Sequence, residues 1–380
     1  MLNIIYFADQ WDIKWRRRQQ IALRLSQRPE IRRLYYVELP LSLTSFVKYI
    51  FGLADFEAKA RWNRVKRCGF VFKHDKVTII TPITLLPYFT TCAFSIYNLA
   101  LVKKSFTRYL PKGFRPDIVW TSLPFDGLWL KYYTDYKLVY DCSEKFTDFI
   151  QWQYILPSVK HYDEILTINA NIIFVQTSLM LKEKGALNGN TYLVENACDI
   201  DKFIAPVAIP VKMSNIKRPI IGYSGSINSR IDFELIEQLA EIRSDWNFVF
   251  VGPYHEIPLN KSNIYFLGEV AYNDLSAYIN NFDVCIMPHK TEGVSQSQSP
   301  LKLFDYLASG KPIVTSDIQG IKGYENILYI GADALGFISA IEKALADGNK
   351  NKKKRIEMVA SCSWDKRVGY IWDLLEKYVM

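Results

Sequence analysis

The chain has 380 residues, and 49% of them are hydrophobic. A chain of this length exceeds what one hydrophobic core usually organises, so two domains are expected. Its net charge is +8, and the excess lies in the first half, because residues 1–205 hold 28 basic and 19 acidic side chains. No motif that reads RNA or DNA accompanies this charge. We therefore expect an anionic membrane surface, and not nucleic acid, as the partner of the basic half.

The cysteines and the first residues indicate the compartment. None of the six cysteines has CxxC or other metal-ligand spacing, and several lie within apolar runs, as in a reduced protein. The apolar segment 2–8 lacks a basic leading segment and runs directly into a charged helix, so it does not resemble a signal peptide. These features predict a cytoplasmic protein.

Short apolar runs in the first half predict strands that alternate with helices. The predicted strands are 2–7, 34–39, 117–122, 137–141, 173–178 and 192–196. Trp11, Trp15 and the basic run 16–18 follow the first strand, at the edge where open α/β sheets bind ligands. This loop lacks the glycine-rich fingerprint of a dinucleotide site, which argues against NAD or FAD.

Two stretches of the first half favour a membrane surface. Residues 42–67 mix aromatic and basic side chains, a composition typical of a helix in a headgroup interface. These side chains are Phe46, Tyr49, Phe51, Phe56, Trp62, Lys48, Lys59, Arg61, Arg64, Lys66 and Arg67. Residues 77–102 are apolar, but Pro82 and Pro87 interrupt the roughly 20 residues that a spanning helix needs. We predict a strand, a loop and an interfacial helix ending at Lys104, with a buried helix as the alternative.

A proline-rich segment without periodicity, residues 205–219, predicts the domain boundary. The next domain opens with a strand, a glycine loop and a helix. Gly222, Gly225 and Ser226 would allow backbone N–H groups to approach a diphosphate, which Arg230 could clamp. The further predicted strands of this domain are 248–252, 264–266 and 284–287.

Residues 282–316 predict a strand, a polar loop, a capped helix and another strand. Ser299 and Pro300 form a helix start in which the serine caps. Lys302 adds a full charge to the partial positive charge of the helix N-terminus, which predicts an anion site, usually for phosphate. Asp305, one turn deeper, has two acceptor oxygens suited to a ribose diol. An exposed ion pair between Lys302 and Asp305 is the alternative.

The segment SPLKLFDYLASGKPIVTSD, residues 299–317, resembles the nucleotide-sugar signature of the retaining GT-B glycosyltransferases that build bacterial surface polysaccharides. Pro300, Leu301 and Lys302 resemble a branch that includes teichuronic-acid and capsule transferases. Two glutamates separated by seven residues frame the family motif. Asp305 falls on the second, a ribose ligand, whereas Ser297 stands in place of the first.

The resemblance implies an α/β fold with two Rossmann-like, doubly wound parallel-sheet domains that face each other across a cleft. Residues 1–204 would form the acceptor domain and residues 205–360 the nucleotide-sugar domain. Residues 361–380 would form a helix that packs back on the first domain.

The resemblance also assigns donor-binding and catalytic residues. The donor site would comprise Gly225, Ser226, Arg230, Lys290, Ser299, Pro300, Leu301, Lys302 and Asp305. Asp141 and Glu144 match a family strand that ends in an acidic residue with another three further on. They would be catalytic together with Lys302. A helix cap is the alternative role of Asp141.

The acceptor and metal assignments rest on two further elements. Trp11, Trp15, Arg17 and Arg18 resemble the family's Trp…Arg-Pro-Gln element and would contact the acceptor. An aromatic-anchored amphipathic surface helix is the alternative. Residues 194–203 resemble the family's linker element, so we assign the Asp199-x-Asp201 spacing within it to a turn. We expect neither a metal nor another cofactor.

The implied activity is transfer of a sugar from a nucleoside-diphosphate sugar, with UDP favoured, to a glycan or lipid-linked glycan, with retention of configuration. The helix dipole, Lys302 and Arg230 would stabilise the leaving diphosphate. We expect peripheral attachment to the inner face of the cell membrane. Two alternatives are a nucleotide-sugar epimerase of the same fold and a non-catalytic degenerate subunit, which Ser297 would suit.

Overall fold

The computed structural model describes residues 1–11, 17–85, 92–148, 156–205, 207–254, 259–292 and 299–380. The chain divides into two compact units. One comprises Met1–Val194 with Val368–Met380, and the other comprises Glu195–Arg367. Each unit contains one large sheet of mostly parallel strands, so the predicted α/β class is confirmed.

The first unit contains an eight-stranded sheet. Its strands are β1 (Leu2–Ala8), β2 (Ile31–Glu38), β4 (Val71–His74), β5 (Val77–Ile80), β7 (Ile118–Thr121), β8 (Lys137–Cys142), β9 (Ile172–Val175) and β10 (Thr191–Leu193). Their order is β10-β9-β8-β7-β1-β2-β5-β4, and β4 alone pairs antiparallel. The short strands β3 (Leu41–Ser42) and β6 (Ile83–Thr84) pair separately. Because the chain leaves β1 on one side and returns as β7 on the other, the switch point lies between these two strands.

The helices of this unit cover the sheet. They are α1 (Arg17–Ser26), α2 (Leu43–Ile50), α3 (Phe56–Cys68), α4 (Cys92–Thr107), α5 (Leu156–Asn169) and α6 (Ser178–Gly185). In the sheet, Tyr6 stacks between Tyr36 and Trp120, with ring centroids 5.4 and 5.1 Å away. These rings lie on neighbouring strands, so they fix the register of the central strands through side-chain packing.

The predicted interfacial stretch forms α2 and α3, but part of α3 faces inward. Arg64 donates to Glu38 Oε1 over 2.8 Å, and Arg61 lies 3.7 Å from the same carboxylate. Trp62 is buried as well. The expectation that Arg61, Arg64 and Trp62 face lipid headgroups is wrong, because the buried carboxylate at the end of β2 requires neutralisation.

The apolar stretch 77–102 contains β5, β6 and the start of α4, and residues 86–91 lie outside the described residues. Val102 and Phe106 of α4 are buried, and Phe106 packs edge-on against Phe7 at 5.8 Å. The second half of this helix is therefore a core element, as in the alternative interpretation. Across the described parts of the chain, no helix is long and apolar enough to cross a membrane.

The second unit contains a six-stranded parallel sheet. Its strands are β11 (Ile220–Ser224), β12 (Asn247–Val251), β13 (Ile264–Gly268), β14 (Val284–Met287), β15 (Ile313–Thr315) and β16 (Tyr329–Ile330). Their order is β13-β12-β11-β14-β15-β16. The chain moves outward from β11 to β13 and then returns to β14 on the other side of β11. The switch point of this sheet lies between β11 and β14.

The helices of the second unit are α7 (Ile200–Ile204), α8 (Phe233–Ile242), α9 (Leu275–Asn280), α10 (Leu301–Ser309), α11 (Ala334–Asp347) and α12 (Lys352–Val359). Cys198, Phe203 and Met213 are part of its hydrophobic core. The unit therefore begins at Glu195, before the proline-rich segment that we predicted as the boundary. The last helix, α13 (Trp364–Tyr378), is divided, and its residues from Val368 onward belong to the first unit.

Candidate active site

Three segments meet at the switch point of the second sheet: the loop after β11, the segment after β14, and the first turn of α10. Strands β11 and β14 are direct neighbours, with Gly222 opposite Cys285, so their carboxyl ends lie side by side. A Cβ placed on Gly225 would lie 3.0 Å from Lys302 Nζ. The structure thus brings two predicted donor-binding residues, Gly225 and Lys302, into contact distance.

The glycines near this point have different roles. Gly225 has φ +129°, and a Cβ on Gly252, in the loop after β12, would lie 2.0 Å from the Gly225 carbonyl oxygen. The two loops therefore require glycine for their close approach. Gly222 instead lies inside β11, where a Cβ would meet the Phe282 ring at 2.1 Å. The predicted phosphate role of Gly222 is wrong, because that position serves packing.

Lys302 is a half-buried cation with neutral neighbours. Its ammonium lies 3.7 Å from the centroid of the Tyr223 ring, donates to the Tyr223 hydroxyl, and lies 3.5 Å from His289 Nε2. Burial, followed by the charge of Arg230, lowers the pKa of Lys302 well below its usual range. Burial and the charges of Lys302 and Arg230 likewise lower the pKa of His289. A cluster that disfavours its own positive charge is suited to an anion.

Arg230 and Lys290 lie on segments that pair beside this cluster. The Lys290 N–H donates to the Arg230 carbonyl over 2.9 Å, next to a bridge between Ile231 and His289. Asn228 Oδ1 accepts from the Arg230 N–H over 3.1 Å and from its Nε over 3.4 Å. Lys290 is exposed. The predicted cations Arg230, Lys290 and Lys302 therefore gather at one sheet edge.

Asp305 is buried one turn below Lys302. Burial raises the pKa of Asp305 to about 8, and the Asp199 carboxylate adds to this effect, whereas Lys202 and Lys302 oppose it. Tyr272 donates from its hydroxyl to Asp199 Oδ2 over 3.2 Å. Near neutral pH the Asp305 carboxyl largely keeps its proton, so it can donate as well as accept hydrogen bonds at a diol.

The start of α10 differs from the prediction by one residue. The helix begins at Leu301, with Pro300 in the cap position and no capping side-chain bond. The Ser299 side chain therefore does not cap. The backbone carbonyl of Ser299 instead accepts from Asn196 Nδ2 over 2.7 Å, which anchors Ser299 two residues before the helix. Ser297 lies outside the described residues.

Asp199 and Asp201 lie at the start of the short helix α7, so a helix stands where we assigned a turn. Asp199 accepts from Tyr272, and the Lys202 ammonium lies 3.9 Å from the Tyr272 ring centroid. Within the described residues, no cluster of three or more His, Cys, Asp or Glu side chains has metal-binding geometry.

Asp141 is the penultimate residue of β8 in the first unit and is fully buried. Arg17 Nε donates to its Oδ1 over 3.0 Å and to its Oδ2 over 3.2 Å, while Arg17 Nη1 donates to the Val194 carbonyl over 2.7 Å. This bidentate, buried ion pair links helix α1 to strand β8. Both side chains therefore have a structural explanation, one that differs from the helix cap weighed for Asp141.

Arg18 and Glu144 lie at the same sheet edge. Arg18 pairs with Asp9 Oδ2 over 2.8 Å, donates to Ser143 Oγ over 2.9 Å, and lies 3.9 Å from Glu144 Oε2. Burial acts to lower the pKa of Arg18, but the carboxylates of Asp9 and Glu144 outweigh it and raise that pKa. Of the predicted catalytic carboxylates, Glu144 is the accessible one, with 29% of its side chain exposed.

The predicted acceptor residues are mostly interior. The Trp11 ring is 1% exposed and packs edge-on against Tyr36 at 4.8 Å, and the backbone N–H of Trp11 donates to Glu38 Oε1 over 2.6 Å. Arg17 and Arg18 are buried as well. Trp15 lies outside the described residues. For Trp11 the aromatic anchor is the interpretation that burial favours, because a buried ring offers no face to an acceptor.

Comparison with known proteins gives a family match within the second unit. A family model described as glycosyl transferases group 1 matches residues 218–347, which contain the Gly225, Lys302 and Asp305 positions. TuaH of Bacillus subtilis (strain 168), named as a candidate teichuronic acid biosynthesis glycosyltransferase, is 26% identical over 289 residues, 69% of this chain and 70% of TuaH. These matches support a glycosyltransferase with the GT-B fold.

Solved structures share the fold of this glycosyltransferase at low identity. Sucrose-phosphate synthase of Thermosynechococcus elongatus matches with a TM-score of 0.71 at 14% identity, covering 99% of both chains. Anabaena Alr3699/HepE in complex with UDP-glucose matches with a TM-score of 0.69 at 12% identity, covering 99% of this chain and 100% of that chain. The predictions of fold and enzyme class are confirmed.

Three residues of the transferase escaped the sequence analysis as site candidates. Tyr223 and His289 contact Lys302. Tyr223 lies near the end of β11 and His289 two residues after β14, and these strands meet at the switch point, which is the signal that would have found them. Asp126 follows β7 at the first switch point. It accepts the N–H of Leu123 over 3.1 Å, and burial raises its pKa to about 7.

Proposed function

We propose that this glycosyltransferase moves a sugar from a UDP-sugar to a glycan or lipid-linked glycan in the synthesis of a bacterial surface polysaccharide, with retention of anomeric configuration. The observation that carries the donor assignment is the cluster of Lys302 and Arg230 with the imidazole of His289 around Gly225 in the family-matched unit. The named function of TuaH and the UDP-glucose in the HepE structure support the polysaccharide and UDP assignments.

In the proposed reaction the second unit stabilises the leaving diphosphate. The N-terminus of α10 contributes a partial positive charge, and Lys302 contributes a full charge once a diphosphate raises its pKa again. Arg230 lies close enough to lower the pKa of Lys302, so both cations act on one anion. Asp305 would hold the ribose diol. These groups supply charge stabilisation without a metal ion.

The acceptor side of the proposal concerns the first unit. Residues 1–115 hold 21 basic and 7 acidic side chains, a charge suited to the anionic inner face of a cell membrane. A lipid-linked acceptor would be met at that surface. We therefore propose peripheral attachment at the cytoplasmic face, where the accessible carboxylate Glu144 would act in catalysis.

Product analysis tests this function. The purified protein is incubated with a panel of UDP-sugars and a lipid-linked oligosaccharide, and mass spectrometry and NMR identify the product and its anomeric configuration. We expect one sugar to be added, with retention, and no product from Lys302→Ala. Free UDP with no extended acceptor would contradict the assignment of the acceptor class.

A non-catalytic subunit is the second candidate, because Ser297 stands where the family motif has its first glutamate. Such a subunit would bind UDP without turning over any sugar. An epimerase would convert the donor without an acceptor. The same incubations separate these outcomes.

A further inference from the structure

Helix α2 of the first unit exposes an unusual amount of apolar surface. None of its eight residues is buried, although Leu43, Phe46, Val47 and Ile50 are all apolar. These four lie at positions i, i+3, i+4 and i+7, so they form one stripe along the helix. Contiguous exposed apolar surface of this kind marks a binding face.

The opposite side of α2 is fastened to α3. Phe46 packs against Trp62 with centroids 4.7 Å apart, Trp62 Nε1 donates to Ser45 Oγ over 3.0 Å, and Tyr49 donates to Asn63 Oδ1 over 2.7 Å. Phe46 thus joins the fastened side to the exposed stripe. The helix is therefore held rigidly while Leu43, Val47 and Ile50 remain uncovered.

The turn after α2 extends the apolar stripe. The Leu53 N–H donates to the Lys48 carbonyl over 2.7 Å and the Gly52 N–H to the Tyr49 carbonyl over 3.1 Å, with Gly52 at φ +73°. This bond pattern is a Schellman motif, which fixes the turn. Phe51 and Leu53 are 73% and 75% exposed at its tip. Two large apolar side chains therefore protrude from an ordered turn.

Basic side chains lie on α2 and on the face of α3 that meets it. Lys59 and Lys66 of α3 are exposed and lie four and three residues from Asn63, the residue that contacts α2. They therefore share its helix face. Lys48 is exposed on α2 itself. An apolar stripe with a basic rim is complementary to a bilayer whose surface carries phosphate charge.

We propose that α2 and the turn Phe51–Leu53 insert into the headgroup region of an anionic lipid leaflet, while Lys48, Lys59 and Lys66 contact lipid phosphates. Eight residues of helix are about 12 Å long, so this element lies in the interface and does not span it. The inference rests on the proposed attachment to an anionic membrane and names the segment that makes it.

The test uses the full chain and two matched triple variants. One is Ile50→Ser, Phe51→Ser and Leu53→Ser. The control changes Ile168, Leu179 and Leu187, apolar residues exposed elsewhere on the same unit, to serine. Co-sedimentation is measured with phosphatidylcholine vesicles and with vesicles containing phosphatidylglycerol, at about 0.1 and 0.5 M salt.

We expect the α2 variant to bind anionic vesicles about tenfold or more weakly at both salt concentrations, and the control to stay within about twofold of the original chain. Changing Lys48, Lys59 and Lys66 to glutamine should weaken binding mainly at low salt. Equal binding of the α2 variant and the control would overturn the inference.

UDP affinity, measured by calorimetry on every variant, separates this inference from the proposed activity. Unchanged UDP affinity with lost vesicle binding supports the α2 assignment. A thermal unfolding curve that matches the original chain shows that the first unit of the variant is folded. If the original chain binds UDP but no vesicle, the membrane inference fails and the sugar transfer proposal stands. A change from dimer to monomer in the α2 variant, without a change in vesicle binding, would assign this face to a second copy of the chain and overturn lipid insertion.

Discussion

The carboxyl edges of the two sheets differ in how their cations are paired. In the first unit, buried cations face carboxylates: Arg17 faces Asp141 at 3.0 Å and Arg18 faces Asp9 at 2.8 Å. In the second unit, the ammonium of Lys302 meets a tyrosine hydroxyl and a histidine of lowered pKa. The first edge therefore neutralises itself, and the second gathers positive charge.

This difference distinguishes charged side chains that stabilise the fold from charged side chains that bind a ligand. A buried ion pair that satisfies its own hydrogen bonds gains nothing from a ligand, but breaking it leaves an uncompensated charge. A cation whose pKa is lowered by burial and by other cations gains an interaction when an anion arrives. The donor diphosphate is thus expected at the second edge, and the Arg17–Asp141 pair belongs to the scaffold.

The largest effect should come from breaking the first edge. Asp141→Ala leaves Arg17 buried without its carboxylate and should lower the free energy of unfolding by about 3–5 kcal/mol in urea titrations. Asp245→Ala, which removes the exposed partner of Arg243, should cost less than about 1 kcal/mol. If Asp141→Ala keeps full stability but loses turnover, Asp141 is catalytic after all and the comparison fails.

Donor affinity tests the second edge. Lys302→Ala should lose about 1.5–3 kcal/mol of charge-assisted hydrogen bonding to UDP, roughly tenfold to hundredfold in Kd by calorimetry. Asp305→Ala removes the hydrogen bonds of a protonated carboxyl and should lose about 0.5–1.5 kcal/mol. Lys261→Ala removes an exposed lysine that pairs with Glu241 in the same unit and serves as the control. Unchanged UDP affinity in both site variants would place the donor elsewhere.

The pH dependence of stability sharpens the assignment of Asp305. Its folded pKa of about 8 exceeds the roughly 3.9 of an unfolded chain, so the folded protein holds a proton that the unfolded chain releases. The stabilising contribution of the Asp305 proton to the free energy of unfolding is complete below about pH 4 and is lost as the pH rises through about 8. Relative to Asp305→Asn, the stability of the original chain should fall by up to about 1.4 kcal/mol per pH unit in that window. Parallel stability curves from pH 5 to 8 would contradict this.

The smallest expected effect is that of chelation. Because the proposed charge stabilisation comes from Lys302, Arg230 and the α10 N-terminus, EDTA should leave the transfer rate unchanged. Asp199→Asn, assayed in parallel, should keep the rate insensitive to added Mg²⁺ or Mn²⁺. An absolute requirement for either ion would assign the chemistry to carboxylates instead.

Local sequence patterns were sufficient to predict secondary-structure elements at the carboxyl edge of the second sheet. The strand at Val284–Met287 and the end of α10 at Gly310 follow from an apolar run and from glycine in the left-handed region. The neighbours of Lys302 did not follow, because Tyr223 and His289 meet through the pairing of strands separated by about 60 residues. Sequence spacing carries no information about which strands become neighbours.

The first unit shows a different reason for failure. Arg61, Arg64 and Trp11 have the composition of a surface that meets lipid or substrate, yet all three are buried around Glu38. The Glu38 carboxylate at the end of β2 is buried and requires these donors as partners. The position of Glu38 relative to α3 depends on the tertiary fold. The exposed stripe on α2, by contrast, follows helical periodicity and lies within the predicted interfacial stretch.

The division of α13 has a consequence for how the protein can be made. Val368–Met380 belongs to the first unit, where Trp372 lies under the Arg28 guanidinium at 4.7 Å and Tyr378 lies 5.3 Å from Tyr192. A ribosome delivers these residues after the whole second unit, so the first unit, whose strands emerge first, is completed after the second has been synthesised. A fragment that stops at Val194 would lack this closing helix segment, and a chimera that exchanges donor units between transferases needs two junctions, at Val194 and at Arg367.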